Sequence, residues 1–86
     1  MNFNIDELKK KIIYRSSYRG TKEMDILISS FVYKIINDLN DDELLMLEKF
    51  VNLDDQELLK LNRNFSKNGN QNLDKIFIEF YNFKPT

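Results

Sequence analysis

The sequence predicts an all-α fold, a compact single domain of about five short helices spanning residues 1–86. Three observations predict it. Asn4 with Glu7, and Asp54 with Glu57, stand at capping-box spacing, and Asn40 or Asp41 opens a third such segment. Apolar residues recur at i, i+3 and i+4 and do not alternate. Punctuation is sparse: Gly20 and Gly69 are the two glycines, and Pro85 is the one proline. A chain of 86 residues is one domain's worth. It buries a little over ~60% of its unfolded surface, enough for one small core.

The first helix is predicted near 5–18. Asn4 caps it, and Ile5, Leu8, Ile12 and Ile13 form its apolar stripe. Lys9, Lys10, Lys11 and Arg15 fall toward its C-terminal half, where the helix dipole favours cations. Gly20 is expected at its end, in a left-handed conformation. The second helix is predicted near 21–38, with Thr21 as cap and Glu23 and Asp25 in its first turn. Met24, Leu27, Ile28, Phe31, Ile35 and Leu39 share a face. Ile26, Val32, Tyr33 and Ile36 make it apolar almost all round, so it is expected to be central and packed on several sides.

The third helix, near 41–52, turns Leu44, Leu47, Val51 and Phe50 inward. Its start, Asp41-Asp42-Glu43, reads as a solvated helix terminus. The fourth, near 55–65, carries Leu58, Leu61 and Phe65. A polar loop, "SKNGNQN", precedes the fifth, near 71–82, which carries Leu73, Ile76, Phe77 and Phe80.

Composition excludes much chemistry. There is no Cys, so no disulfide, thiol nucleophile or thiolate metal site is expected. There is no His, the commonest general base and metal ligand. The dicarboxylate metal sites of helical bundles use Glu-x-x-His, which this chain cannot supply. No nucleotide-binding glycine loop occurs, so no tightly bound FAD or other cofactor is expected. The chain does not read as an enzyme and offers no catalytic residue.

The net charge of −1 is unevenly spread. Lys9, Lys10, Lys11, Arg15, Arg19 and Lys22 lie in a stretch without acids, whereas residues 38–57 are acidic apart from Lys49. The cation run raises a nucleic-acid-binding reading, which the acidic second half opposes. The start "MNFNIDELKKK" lacks the apolar core of a signal peptide. The densest apolar run falls short of the ~20 residues that span a bilayer. A cytoplasmic protein without membrane insertion is expected, and a monomer when free.

"YRSSYRGTKEMD", residues 14–25, stands apart from the rest. It gathers two of three arginines, one of two glycines and two tyrosines in a chain rich in Lys and Asn. Arg grips carboxylates in two-pronged fashion, and Tyr and Arg are enriched at binding hot spots. The stretch reads as a docking edge on a helix–helix turn. Local helix chemistry also explains each of its residues, so a generic helical interaction domain is the alternative reading.

The ordered set Arg15, Arg19-Gly20-x-x-Glu23-x-Asp25 and Phe31 resembles the signature of the succinate dehydrogenase assembly factors, the SdhE-type flavinylation factors. "LNDDELLMLEKFVNLDDQELLKL" resembles the family's next helix, acidic turn and amphipathic helix, so the likeness covers about residues 8–62. Tyr18 stands where the family commonly has a second Arg, and Leu61 or a neighbour where it commonly has Trp. The resemblance implies a chaperone that binds the flavoprotein subunit of succinate dehydrogenase, and often of fumarate reductase. It implies promotion of covalent FAD attachment to a His of that client, which carries the FAD. It also implies that the R-G-x-x-E turn faces the client. Arg19 would then pair with a client carboxylate or carbonyl, Gly20 permit close approach, and Glu23 accept hydrogen bonds near the flavin. The expected partner-binding set is Arg15, Tyr18, Arg19, Gly20, Glu23 and Asp25.

Overall fold

Four of the five helices start where a short polar side chain takes an orphan N–H of the first turn. In the computed structural model, which describes residues 4–64, 69 and 71–83, α1 spans Ile5–Ser17 and Asn4 Oδ1 accepts from Glu7 N at 3.1 Å. Helix α2 spans Lys22–Ile35, and Thr21 Oγ1 accepts from Met24 N at 3.2 Å. Helix α3 spans Asp41–Val51 behind a full capping box: Glu43 N donates to Asn40 Oδ1, and Asn40 N donates to Glu43 Oε1. Helix α4 spans Asp55–Arg63, capped by Asp54 on Glu57 N at 2.8 Å. Helix α5 spans Gln71–Asn82. Among the described residues the fold is all-α, as the sequence predicts.

Helix α1 packs on α2 and α3, and α5 packs on α3 and α4. Apolar residues from all five helices meet in one buried core. Leu8 and Ile12 come from α1; Met24, Ile28, Phe31, Val32 and Ile35 from α2; Leu44, Leu47, Phe50 and Val51 from α3; and Leu58 from α4. Ile76, Phe77 and Phe80 of α5 close the core. Each fully buried side chain of this kind contributes roughly 1.5–3 kcal/mol. The centre is aromatic. The Phe31 ring lies 5.4 Å from Phe50, 5.0 Å from Phe80 and 5.5 Å from Phe83, centroid to centroid. Phe50 meets Phe80 edge-on at 4.9 Å. Tilted and edge-on pairs suit the ring quadrupole.

Several details depart from the sequence reading. α2 gives way after Ile35 to a single 3-10 turn, Ile36–Asp38. It packs on α1, α3 and α5 but is not covered all round: Ile26 is 50% and Tyr33 62% exposed. Those two side chains lie off the face that carries Met24, Ile28, Phe31 and Ile35 into the core. Phe83 is buried just past the end of α5, and Lys34 sits over its ring. Ser16 is buried on α1, its Oγ donating to Ile13 O at 2.7 Å. Phe65, assigned to the inner face of the fourth helix, lies outside the described residues.

The acidic start of α3 is not wholly solvated. Asp41 and Asp42 are exposed, but Glu43 is buried. Its second oxygen, Oε2, accepts from Lys75 Nζ of α5 at 2.6 Å. The Lys75 hydrogen bond, helped by the Asn40 N–H, holds the Glu43 carboxyl below its ordinary value against the opposing effect of burial. The same contact pushes the Lys75 ammonium up. A second tie joins α4 to α5: Asn62 Nδ2 donates to Phe80 O at 2.9 Å, a carbonyl in the last turn of α5 that also accepts from Phe83 N. Among the described residues no buried side-chain N or O lacks a hydrogen-bond partner. No helix there is long and apolar enough to cross a membrane.

Candidate functional site

The turn between α1 and α2 is built around Arg19. α1 unwinds at Tyr18, whose φ and ψ of −123° and 71° leave the helical region, and Thr21 is extended at −137° and 157°. Those dihedrals aim the Arg19 side chain back into the molecule, where it is only 10% exposed. Its Nε donates to Asp55 Oδ1 at 2.9 Å, and the two lie as an ion pair. Nη1 donates to Val51 O, and Nη2 to Leu53 O at 2.6 Å. A longer contact of 3.4 Å joins Nη1 to Arg15 O.

The acceptors explain the residue type. Val51 is the last residue of α3, so its carbonyl is an orphan of the helix C-terminus, and a cation there also complements the dipole. Asp55 is the first residue of α4, where an anion is favoured. One planar guanidinium fork serves three acceptors at once, which a Lys ammonium on its flexible stem matches poorly. Arg19 therefore clamps the α1–α2 turn onto the α3–α4 turn.

The backbone of the turn is held as well. Arg19 N donates to Asp25 Oδ1, and Gly20 N donates to Asp55 Oδ2 at 3.2 Å. Two successive N–H groups are thus taken by two carboxylates. Gly20 does not end α1 in a left-handed conformation; among the described residues only Gly69 has a positive φ, 98°. The demand on Gly20 is space. A Cβ there would stand 3.3 Å from Asp55 Oδ2, tighter than ordinary contact, so the carboxylate would have to give way.

The six expected binding residues therefore fall into two groups. Arg19, Gly20 and Asp25 converge on the clamp. Arg15, Tyr18 and Glu23 are exposed around it. Tyr14 joins the second group: Tyr14 is 64% and Tyr18 70% exposed, and their rings meet at a tilt, 4.6 Å between centroids, at the end of α1. Paired exposed tyrosines beside an Arg form a rigid amphipathic contact surface of low ordering cost. Sequence reasoning missed Asp55. It lies 36 positions from Arg19, and its Asp-Asp-x-Glu setting reads fully as helix-start chemistry. Among the described residues no cluster of acids could hold a metal ion.

The model of the family described as the flavinator of succinate dehydrogenase matches residues 10–82. The mitochondrial succinate dehydrogenase assembly factor 2 of Drosophila virilis is 39% identical over 44 residues, 51% of this chain and 28% of its own length. Assembly factor 2-B of Drosophila willistoni is 35% identical over 48 residues, 56% of this chain and 31% of its own. The chain thus aligns with about three-tenths of the length of the curated relatives it matches. No solved structure matches it. With the family model covering residues 10–82, from the middle of α1 to the end of α5 and including the whole clamp, the chain belongs to the flavinator of succinate dehydrogenase family.

Proposed function

We propose that this chain is an assembly chaperone that binds the flavoprotein subunit of succinate dehydrogenase and promotes covalent attachment of FAD there. The observation that carries the reading is the α1–α2 turn. It lies within the family match, and it presents Tyr14, Arg15, Tyr18 and Glu23 outward on a backbone fixed from within. Arg15 can grip a client carboxylate in two-pronged fashion, and Glu23 can accept hydrogen bonds from client donors. Arg19, Gly20 and Asp25 serve the docking by shape, holding the turn while their own donors and acceptors are engaged inside the chain.

The role is conformational. With no imidazole or thiol in the sequence, the chain lacks the commonest general base and the most reactive side-chain nucleophile. Its contribution is to favour the client state in which the acceptor side chain and the flavin are aligned, a gain in proximity. FAD stays with the client. An affinity capture of purified flavoprotein subunit by the tagged chain tests this. Wild type is expected to retain the subunit. Arg15→Ala and Glu23→Ala are expected to weaken retention while leaving the unfolding midpoint within ~0.5 kcal/mol of wild type, as for surface changes generally. No retention by wild type, or equal retention by all three proteins, would sink the proposal.

A further inference from the structure

Asp55 lies outside the R-G-x-x-E pattern, yet among the described residues it is the one side chain that addresses both the guanidinium of Arg19 and the backbone of Gly20. We infer that Asp55 is a positioning residue for the docking turn, acting through Arg19 and Gly20; the inference rests on the docking role proposed above. Its two oxygens have separate tasks. Oδ1 fixes the guanidinium, and so the lean of the turn against the end of α3. Oδ2 fixes the N–H of Gly20, and so the path of the chain from Tyr18 to Thr21. Asp55 is the first residue of α4. The position of the docking edge is therefore set by a helix start more than thirty residues away.

A neutral, asymmetric replacement separates this role from bulk stability. In Asp55→Asn the side chain keeps its volume but presents one acceptor and one donor group. An amide N–H₂ then opposes either Arg19 Nε or Gly20 N, both donors. The turn regains local freedom, and docking carries the cost of ordering it again. Asp54→Ala is the matched control. It removes the cap of the same helix and leaves the Arg19 and Gly20 contacts in place.

The test uses the whole chain, titrated with purified flavoprotein subunit below the unfolding transition. The amide resonance of Gly20 is followed in the free, ¹⁵N-labelled chain. Asp55→Asn is expected to move the Gly20 resonance and to weaken binding about tenfold, the scale of re-ordering a few side chains and the turn. Asp54→Ala is expected to lower the unfolding midpoint with binding and the Gly20 resonance unchanged. Should Asp55→Asn not fold, Asp55→Glu, which keeps both oxygens on a longer arm, is expected to shift the same resonance with a smaller loss of affinity. Wild-type affinity in whichever Asp55 variant is folded would overturn the inference. So would losses of affinity in the Asp55 variant and Asp54→Ala that simply follow their stabilities. If wild type itself does not bind the subunit, the docking proposal falls. The clamp is then judged on the free chain, where an unmoved Gly20 resonance would refute it.

Discussion

At the scale of single residues, Arg19 shows how one side chain can be misread from sequence and still be recognised as special. Its Arg identity, its Gly neighbour and its acids at Glu23 and Asp25 were all legible, because residue type and spacing are local facts. Its direction was not legible. Whether a guanidinium at a helix–helix turn faces solvent or folds inward depends on what lies opposite, here Val51, Leu53 and Asp55. Removing it strands those acceptors, so Arg19→Ala is expected to destabilise the fold by about 3 kcal/mol, read by urea unfolding. Arg19→Lys is expected to recover only part of that, since an ammonium cannot serve all three acceptors in one plane. A loss below ~0.5 kcal/mol in Arg19→Ala would show that the clamp adds nothing to the fold.

At the scale of elements, α1 to α4 were legible because each carries its own start signal. Asn4, Thr21, Asn40 and Asp54 all accept from the N–H three residues on. The ties between helices were not legible, because their partners are far apart in sequence. Asn62, which ties α4 to the end of α5, is one. Asn62→Ala is expected to cost about 1 kcal/mol, and Asn62→Asp more, because an anion would then face a helix C-terminus. Thermal melts of the two variants rank them directly, and the reverse order would count against a capping role.

The Glu43–Lys75 pair ties α3 to α5. The Glu43 carboxyl is lowered in the folded chain, mainly by the Lys75 hydrogen bond, so its contribution is complete above the ordinary carboxylate pKa of about 4.3 and drains away as pH falls through the folded value. Lys75, pushed up, contributes fully below the ordinary Lys pKa and loses its contribution only in strong alkali. Glu43→Gln keeps the capping box but not the charge. The gap in unfolding midpoint between wild type and Glu43→Gln is expected to be widest near neutral pH and to narrow below about pH 4.3. A gap that does not change with pH would remove the ion pair from the account.

At the scale of the whole molecule, a chain of 86 residues has roughly 4–13 kcal/mol of stability to draw on. Phe31 touches Phe50, Phe80 and Phe83 and is almost fully buried, so Phe31→Ala is expected to cost about 3–5 kcal/mol. That is a large share of the whole, and circular dichroism should show a weakened or absent cooperative transition at 25 °C. The core faces were readable from helical periodicity, but Ile26 and Tyr33 were not readable as exposed, since the pattern of α2 does not say how many neighbours it has. The docking edge was readable as a composition anomaly, and only the fold divides it into an inner clamp and an outer contact surface. The most direct measurement of the central claim is covalent flavin yield. The chain is co-expressed with a flavoprotein subunit of succinate dehydrogenase in a host lacking its own assembly factor, and flavin fluorescence is read in a denaturing gel. The account predicts a fluorescent flavoprotein band with wild type and a much fainter one with the Arg15→Ala, Glu23→Ala double variant. A band no brighter with wild type than without the chain, or equally bright with the double variant, would contradict it.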